Sequence, residues 1–160
     1  MKIEHVTIAD LPAILEIEQA GFNPAEAGSK AAFINRIANI PDTFLVAKEK
    51  AQVVGFIVGP VTTTPIIDDK YYQHVEPNLP TGDYLLVLSI AVAPIFRGQR
   101  IGSQLLGAFA GLARNHHCQS IILDSLAKNV PFYEANGFSK AGISPSSHAN
   151  ETWYNMVKTV

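Results

Sequence analysis

The run Arg97-Gly98-Gln99-Arg100-Ile101-Gly102-Ser103 is the part of this chain whose residue types point most directly to chemistry. It holds two of the four arginines and stands between an apolar stretch, residues 84–92, and an amphipathic one, residues 101–114. A strand, a basic glycine-bearing turn and a helix in that order leave backbone N–H groups unpaired at the helix start, where the helix dipole is positive. Gly98 and Gly102 let a ligand approach the backbone. The group favoured there is a phosphate or pyrophosphate; on its own, the turn reads equally as a solvated basic connection. Glu18 is a second position of interest, because it shares a helical face with Leu11, Ile14 and Leu15. A carboxylate on an apolar stripe is costly unless paired, and the alternative is a place at the stripe's edge, reaching solvent. The one cysteine, Cys118, excludes an intrachain disulfide and reads as a small buried hydrophobe. His5, His74, His116, His117 and His148 lack metal-ligand spacing, so no metal is expected.

Period and punctuation supply the elements that must position these residues. Residues 2–8 read as a strand. Asp10 reads as the cap of a first helix, with Pro12 in its first turn. A second helix fits 27–40, and strands at 43–48 and 52–61 pair across a tight turn near 49–51. Residues 62–82 form a long connection carrying Pro65, Pro77 and Pro80, with one short helix over 68–74; Tyr71 and Tyr72 there, with Trp153, are candidates to line an aromatic pocket. Residues 83–93 are apolar enough for a central strand buried on both faces. A helix over 101–115 follows, then a strand over 119–125. Asn129 caps a further helix with Pro131 in its first turn, and Gly137 ends it at the left-handed C′ position. Strands at 138–143 and 152–158 complete the chain. Strand–helix–strand units on both sides of a hairpin predict an α/β fold, with a mixed central β-sheet flanked by helices on both faces. No repeat or linker divides residues 1–160, so one domain is expected.

Composition narrows the function classes. At 160 residues the chain can bury a real core, and 48% hydrophobic against 16% charged residues describes a compact protein. A net charge of −2 offers nucleic acid no basic excess. No apolar run approaches the ~20 residues that span a bilayer, and Met1-Lys2-Ile3-Glu4-His5 is unlike a secretory signal. A cytoplasmic protein with no nucleic-acid or membrane partner is the expectation.

Taken together, Leu88-Ser89-Ile90-Ala91-Val92-Ala93-Pro94 followed by Phe96-Arg97-Gly98-Gln99-Arg100-Ile101-Gly102-Ser103 resembles the acetyl-CoA motif of the GNAT superfamily of N-acyltransferases. Asn129-Val130-Pro131-Phe132-Tyr133-Glu134 and Asn136-Gly137-Phe138 resemble its later helix motif, in the same order and spacing. Within the superfamily, Glu16-Ile17-Glu18-Gln19-Ala20-Gly21-Phe22 and Val130-Pro131-Phe132-Tyr133 look most like the arylalkylamine (serotonin-type) branch. Two departures stand out. Arg100 replaces a frequent glycine of the pyrophosphate turn, and Leu86 and Leu88 replace the two histidines of the animal arylalkylamine enzymes, so that base does not carry over.

The resemblance implies acetyl transfer from acetyl-CoA directly to a small primary amine, an arylalkylamine among the candidates. A peptide N-terminus or an amino sugar is the alternative acceptor, and a CoA-binding module without turnover is the rival class. The turn 97–103 would hold the pyrophosphate, through Arg97, Gly98, Gln99, Arg100, Ile101, Gly102 and Ser103. The backbone of Ile90, Ala91 and Val92 would pair with the pantetheine arm like an added strand. Asn129 and Phe132 would border the cofactor, and Tyr133 would protonate the departing thiolate. Glu26, between the first two helices, is a candidate base; otherwise it is an acidic residue at the second helix's start. Glu18 is the other candidate base. The acceptor's identity, the conformation of residues 62–82 and the choice between monomer and homodimer stay open.

Overall fold

The computed structural model describes all residues, Met1–Val160. Its elements in chain order are β1 (Lys2–His5), α1 (Leu11–Gly21), α2 (Lys30–Asn39), β2 (Phe44–Glu49), β3 (Gln52–Val58), β4 (Val61–Thr62), β5 (Tyr84–Val87), β6 (Ser89–Val92), α3 (Ile101–Asn115), β7 (Ser120–Ser125), α4 (Val130–Ala135), β8 (Ser139–Ile143) and β9 (Tyr154–Thr159). The strands form two sheets, ordered β1-β2-β3-β6 and β4-β5-β7-β9-β8. All pairings are antiparallel except β5 with β7. The α/β architecture with helices on both faces agrees with the sequence. One apolar cluster packs α3, through Leu105, Leu106 and Phe109, against one face. The other packs Ile14 and Ile17 of α1 and Phe33 of α2 against Phe44 and Phe56.

The expected unbroken strand over 83–93 is instead two strands, and the cause is a bulge. Val58 lies opposite Ser89, whereas Val61 lies opposite Leu85, so one extra residue sits on the β5–β6 side. The Leu88 N–H donates to Val58 O at 2.8 Å and the Leu86 N–H to Pro60 O at 2.9 Å. A bulge bends its strand and increases local twist, which here sends β6 into one sheet and β5 into the other. The crossing is tight: a methyl group on Gly59 would stand 1.5 Å from Leu86 O, so only glycine fits there. Because β5 stays paired with β7 while β6 leaves it, the molecule opens between β6 and the far end of β7.

Three helix starts differ from the sequence reading. Asp10 precedes α1 but makes no side-chain cap bond; its carboxylate instead accepts from Thr7 N–H at 2.9 Å and pairs with Lys48 at 3.1 Å. The second helix begins at Lys30 because Ser29 caps it, with its Oγ accepting from Ala32 N–H at 3.1 Å. Asn129 makes no cap bond either, because a single 3-10 turn holds it in helical geometry, away from the extended conformation that a capping side chain uses. The short helix expected over 68–74 is one 3-10 turn, Asp69–Tyr72. The end of α4 is as expected, with Gly137 at φ +89°. No helix is long and apolar enough to cross a membrane.

Candidate active site

The opening between β6 and β7 is a cleft of about 1210 Å³, and its two halves are built differently. One half is main chain. The Ala93 N–H donates to Val54 O at 2.8 Å, which ties that residue to β3. Alternation along an antiparallel ladder then turns the backbone groups of Ile90 and Val92 toward the cleft. At the end of this free edge the chain turns through Gly98, with φ +80°, and Arg100, with φ +64°, into α3. Arg100 therefore occupies the left-handed conformation that glycine adopts at no cost, and its exposed side chain points clear of the core. The first-turn amides of α3 have no partner within their own helix and face the cleft. Arg97 folds back so that Nε donates to Val92 O at 3.2 Å.

The structure places nearly all the expected donor-side residues on the cleft wall: Ile90, Ala91, Val92, Arg97, Gly98, Arg100, Ile101, Gly102, Ser103, Asn129 and Phe132. Gln99 is exposed and lies off that wall. The Phe132 ring covers the start of α3 so closely that a methyl group on Gly102 would stand 3.1 Å from it. Tyr133 also lines the cleft, its ring held edge-on by Phe132 at 5.1 Å and Phe138 at 5.8 Å. Burial raises its phenol well above the usual range, so the hydroxyl stays protonated.

The other half is side chains gathered from distant segments. Glu18 is 3% exposed, so it does not reach solvent at the edge of its helical stripe; Gly28, Ser89 and Arg36 stand around it instead. Its Oε1 accepts from Ser89 Oγ at 2.6 Å and its Oε2 from Gly28 N–H at 2.8 Å. Burial raises its carboxyl, against the opposing pull of those two hydrogen bonds, Arg36 and His148. Arg36 is 1% exposed; its Nη2 donates to Tyr72 O at 3.2 Å, and its guanidinium lies 4.7 Å over the Phe33 ring. Its Nε and Nη1 have no partner, and burial pushes its pKa down to about 10.

Tyr72 stacks on His148 at 4.3 Å, and Trp153 donates from Nε1 to His148 O at 2.8 Å. Tyr72 and Trp153 thus line the cleft as the aromatic reading expects, while Tyr71 does not. Asp69 and Asp124 stand beside them; burial is the main cause that raises Asp124, with Asp69 adding to it. Glu26 reaches the cleft from a turn before α2, not from the helix's first turn, since its carboxylate and backbone exchange hydrogen bonds with Asn23 at 3.1 and 2.9 Å. Glu151 faces it, and their contact raises the Glu151 carboxyl. Sequence reasoning missed Ser89 as a partner of Glu18, and missed Arg36 and Asp124 altogether. The only local signal was an arginine on an otherwise apolar helix face.

The acetyltransferase (GNAT) family model matches residues 11–138, and the chain belongs to that family. Over 66 residues it is 39% identical to a glucosamine 6-phosphate N-acetyltransferase of Trypanosoma brucei brucei; that segment is 40% of this chain and 45% of the relative, so the match spans less than half of that protein. Among solved structures, Ard1 from Thermoplasma volcanium superposes with a TM-score of 0.77 at 25% identity, covering 99% of this chain and 97% of its own. The GphF GNAT-like decarboxylase in complex with isobutyryl-CoA superposes at 0.82 with 17% identity, covering 99% of both chains, a likeness of fold.

Proposed function

We propose that this chain, acting as one domain over residues 1–160 in the cytoplasm, transfers an acetyl group from acetyl-CoA directly to a small primary amine. The observation that carries this reading is the cleft itself: a free strand edge leading into a turn of inward-facing amides, opposite a half lined by carboxylates and aromatic rings. The donor half fits a thioester cofactor. The edge at Ile90 to Val92 offers main-chain donors and acceptors to the pantetheine amides, and the start of α3 suits a pyrophosphate. One N–H of that edge would polarise the thioester carbonyl as charge develops on its oxygen.

The amine nitrogen attacks the carbonyl carbon, the C–S bond breaks, and the sulfur leaves with its electron pair. Tyr133 is the proposed donor to that sulfur. A thiolate with a pKa near ~8.5 is a weaker base than a phenolate, so Tyr133 stabilises the departing sulfur through a hydrogen bond and keeps its own proton; the proton that turns the thiolate into CoA thiol is the amine's second N–H proton, released as the amide forms. The ammonium of the incoming amine must first lose a proton, and Glu26 and Glu18 are the proposed acceptors among the carboxylates on that side, which also include Asp69 and Asp124.

The Tyr72–His148 stack and Trp153 favour an acceptor with an aromatic body, as in arylalkylamines. An amino sugar is the second acceptor reading, supported by the local identity to the glucosamine 6-phosphate enzyme. Calorimetry with acetyl-CoA, followed by thiol release across a panel of arylalkylamines, amino sugars and peptide N-termini, tests the proposal. Acetyl-CoA binding with amine-dependent release of CoA is expected. Binding without release for any amine would instead identify a CoA-binding module.

A further inference from the structure

Accepting the acetyl-transfer reading, we infer that Glu18 is the proton acceptor of the reaction, that the Ser89 hydroxyl relays the proton to it, and that the buried Arg36 guanidinium is its countercharge.

Ser89 opens β6, the strand whose free edge faces the cleft, and both Ser89 and Glu18 lie on the cleft wall. Its hydroxyl already points at Glu18 Oε1 at 2.6 Å, a distance typical of a charge-assisted O–H···O⁻ bond. The transfer balances without any further reagent. The ammonium N–H breaks as Ser89 Oγ takes that proton, and the proton Ser89 held passes to Oε1. The amine then has its lone pair for attack, and Glu18 becomes a neutral acid that returns its proton to water when product leaves.

Glu26 is less suited to this task. Its carboxylate is engaged by Asn23 N–H in an exposed turn, and it faces a second carboxylate, Glu151. Glu18 is enclosed, with its second oxygen held by Gly28 N–H. Facing it are the Gly28 amide from the α1–α2 connection, Ser89 from β6, Arg36 from α2 and His148 from the β8–β9 connection. Arg36 fits a countercharge better than a structural clasp. Two of its nitrogens have no partner, and a methyl group on Gly28 would stand 3.4 Å from Glu18 Oε2 and 3.5 Å from Arg36 Nη1, so both charges border the same small space. An unpaired buried cation is expensive, and a nearby carboxylate offsets that cost.

The test is the pH dependence of kcat, with saturating acetyl-CoA and the best amine of the panel, for wild type, Glu18→Gln, Ser89→Ala, Arg36→Gln and Arg36→Lys. Glu18→Gln keeps the shape and the bond from Gly28, and is expected to lower kcat by about 10² or more and to erase the acid limb, with KM for acetyl-CoA unchanged. Ser89→Ala is expected to lower kcat by about tenfold or more. Arg36→Gln should move the acid limb to higher pH, and Arg36→Lys should bring it back toward its wild-type position. An active wild type with an unaltered Glu18→Gln profile overturns the relay and leaves the acetyl-transfer reading standing. Wild type that binds acetyl-CoA but releases no thiol with any amine overturns both. An acid limb that stays put in Arg36→Gln removes the countercharge.

Discussion

The two halves of the cleft meet at one bulge but are made of different material. The half proposed for the donor is main chain from one continuous stretch, residues 90–103, with Phe132 packed over its helix start and Tyr133 beside that ring. The half proposed for the amine brings Glu18, Arg36, Tyr72, Ser89, Asp124 and His148 together from six segments. A backbone site depends on turn geometry and tolerates changes of side chain, as the left-handed Arg100 shows. A side-chain site depends on every contributor and on the packing that holds it, so it is the half in which specificity can change while the cofactor geometry is kept.

Mutations can separate the halves or break them together. The largest effect is expected at their shared crossing. Gly59→Ala would drive a methyl group into Leu86 O, costing about 3 kcal/mol or more, and urea unfolding should show it along with loss of both acetyl-CoA and amine binding. Next is Tyr133→Phe, expected to lower kcat by about 10²-fold while KM for either substrate stays near wild type, read in thiol-release kinetics. Gly102→Val strikes the donor half alone: it pushes Phe132 away from the start of α3 and should weaken CoA by about tenfold, roughly 1.4 kcal/mol by calorimetry, with the KM for amine unchanged. Tyr72→Leu is the mirror test. It removes the stack on His148 and should raise the KM for an arylalkylamine several-fold while the KM for acetyl-CoA holds. Equal effects of these two variants on both substrates would erase the distinction between the halves.

The smallest effect concerns stability against pH. Burial raises the Glu18 and Asp124 carboxyls above their unfolded values, so just above the ordinary carboxylate range the folded state binds more protons than the unfolded one. Stability contributed by these groups therefore declines as pH rises through that window. Glu18→Gln should flatten part of the decline in a series of thermal melts.

The same division explains what the sequence reveals. The half proposed for the donor is legible because its residues are neighbours: Arg97 to Ser103 already state a turn and a helix start. Gly137 likewise marks the end of α4, since only the left-handed position after a helix needs it. The break at Leu88 is not legible, because a bulge is a mismatch of count between two strands and appears only once they are paired. Burial of Glu18 is hidden for a related reason. Helical periodicity places it on the apolar stripe, but Ser89 and Gly28 lie 71 and 10 residues away along the chain. Asn129 and Asp10 show that a capping residue type does not ensure a cap when it closes a preceding 3-10 turn and so sits in helical geometry.

A crystal structure with CoA bound tests most directly the proposal that residues 90–103 grip the cofactor through backbone amides. It should show pyrophosphate oxygens within hydrogen-bonding distance of main-chain nitrogens in residues 98–103, and the pantetheine arm running beside Ile90 to Val92. A nucleotide bound elsewhere, with the space between β6 and β7 left free of it, would contradict that proposal.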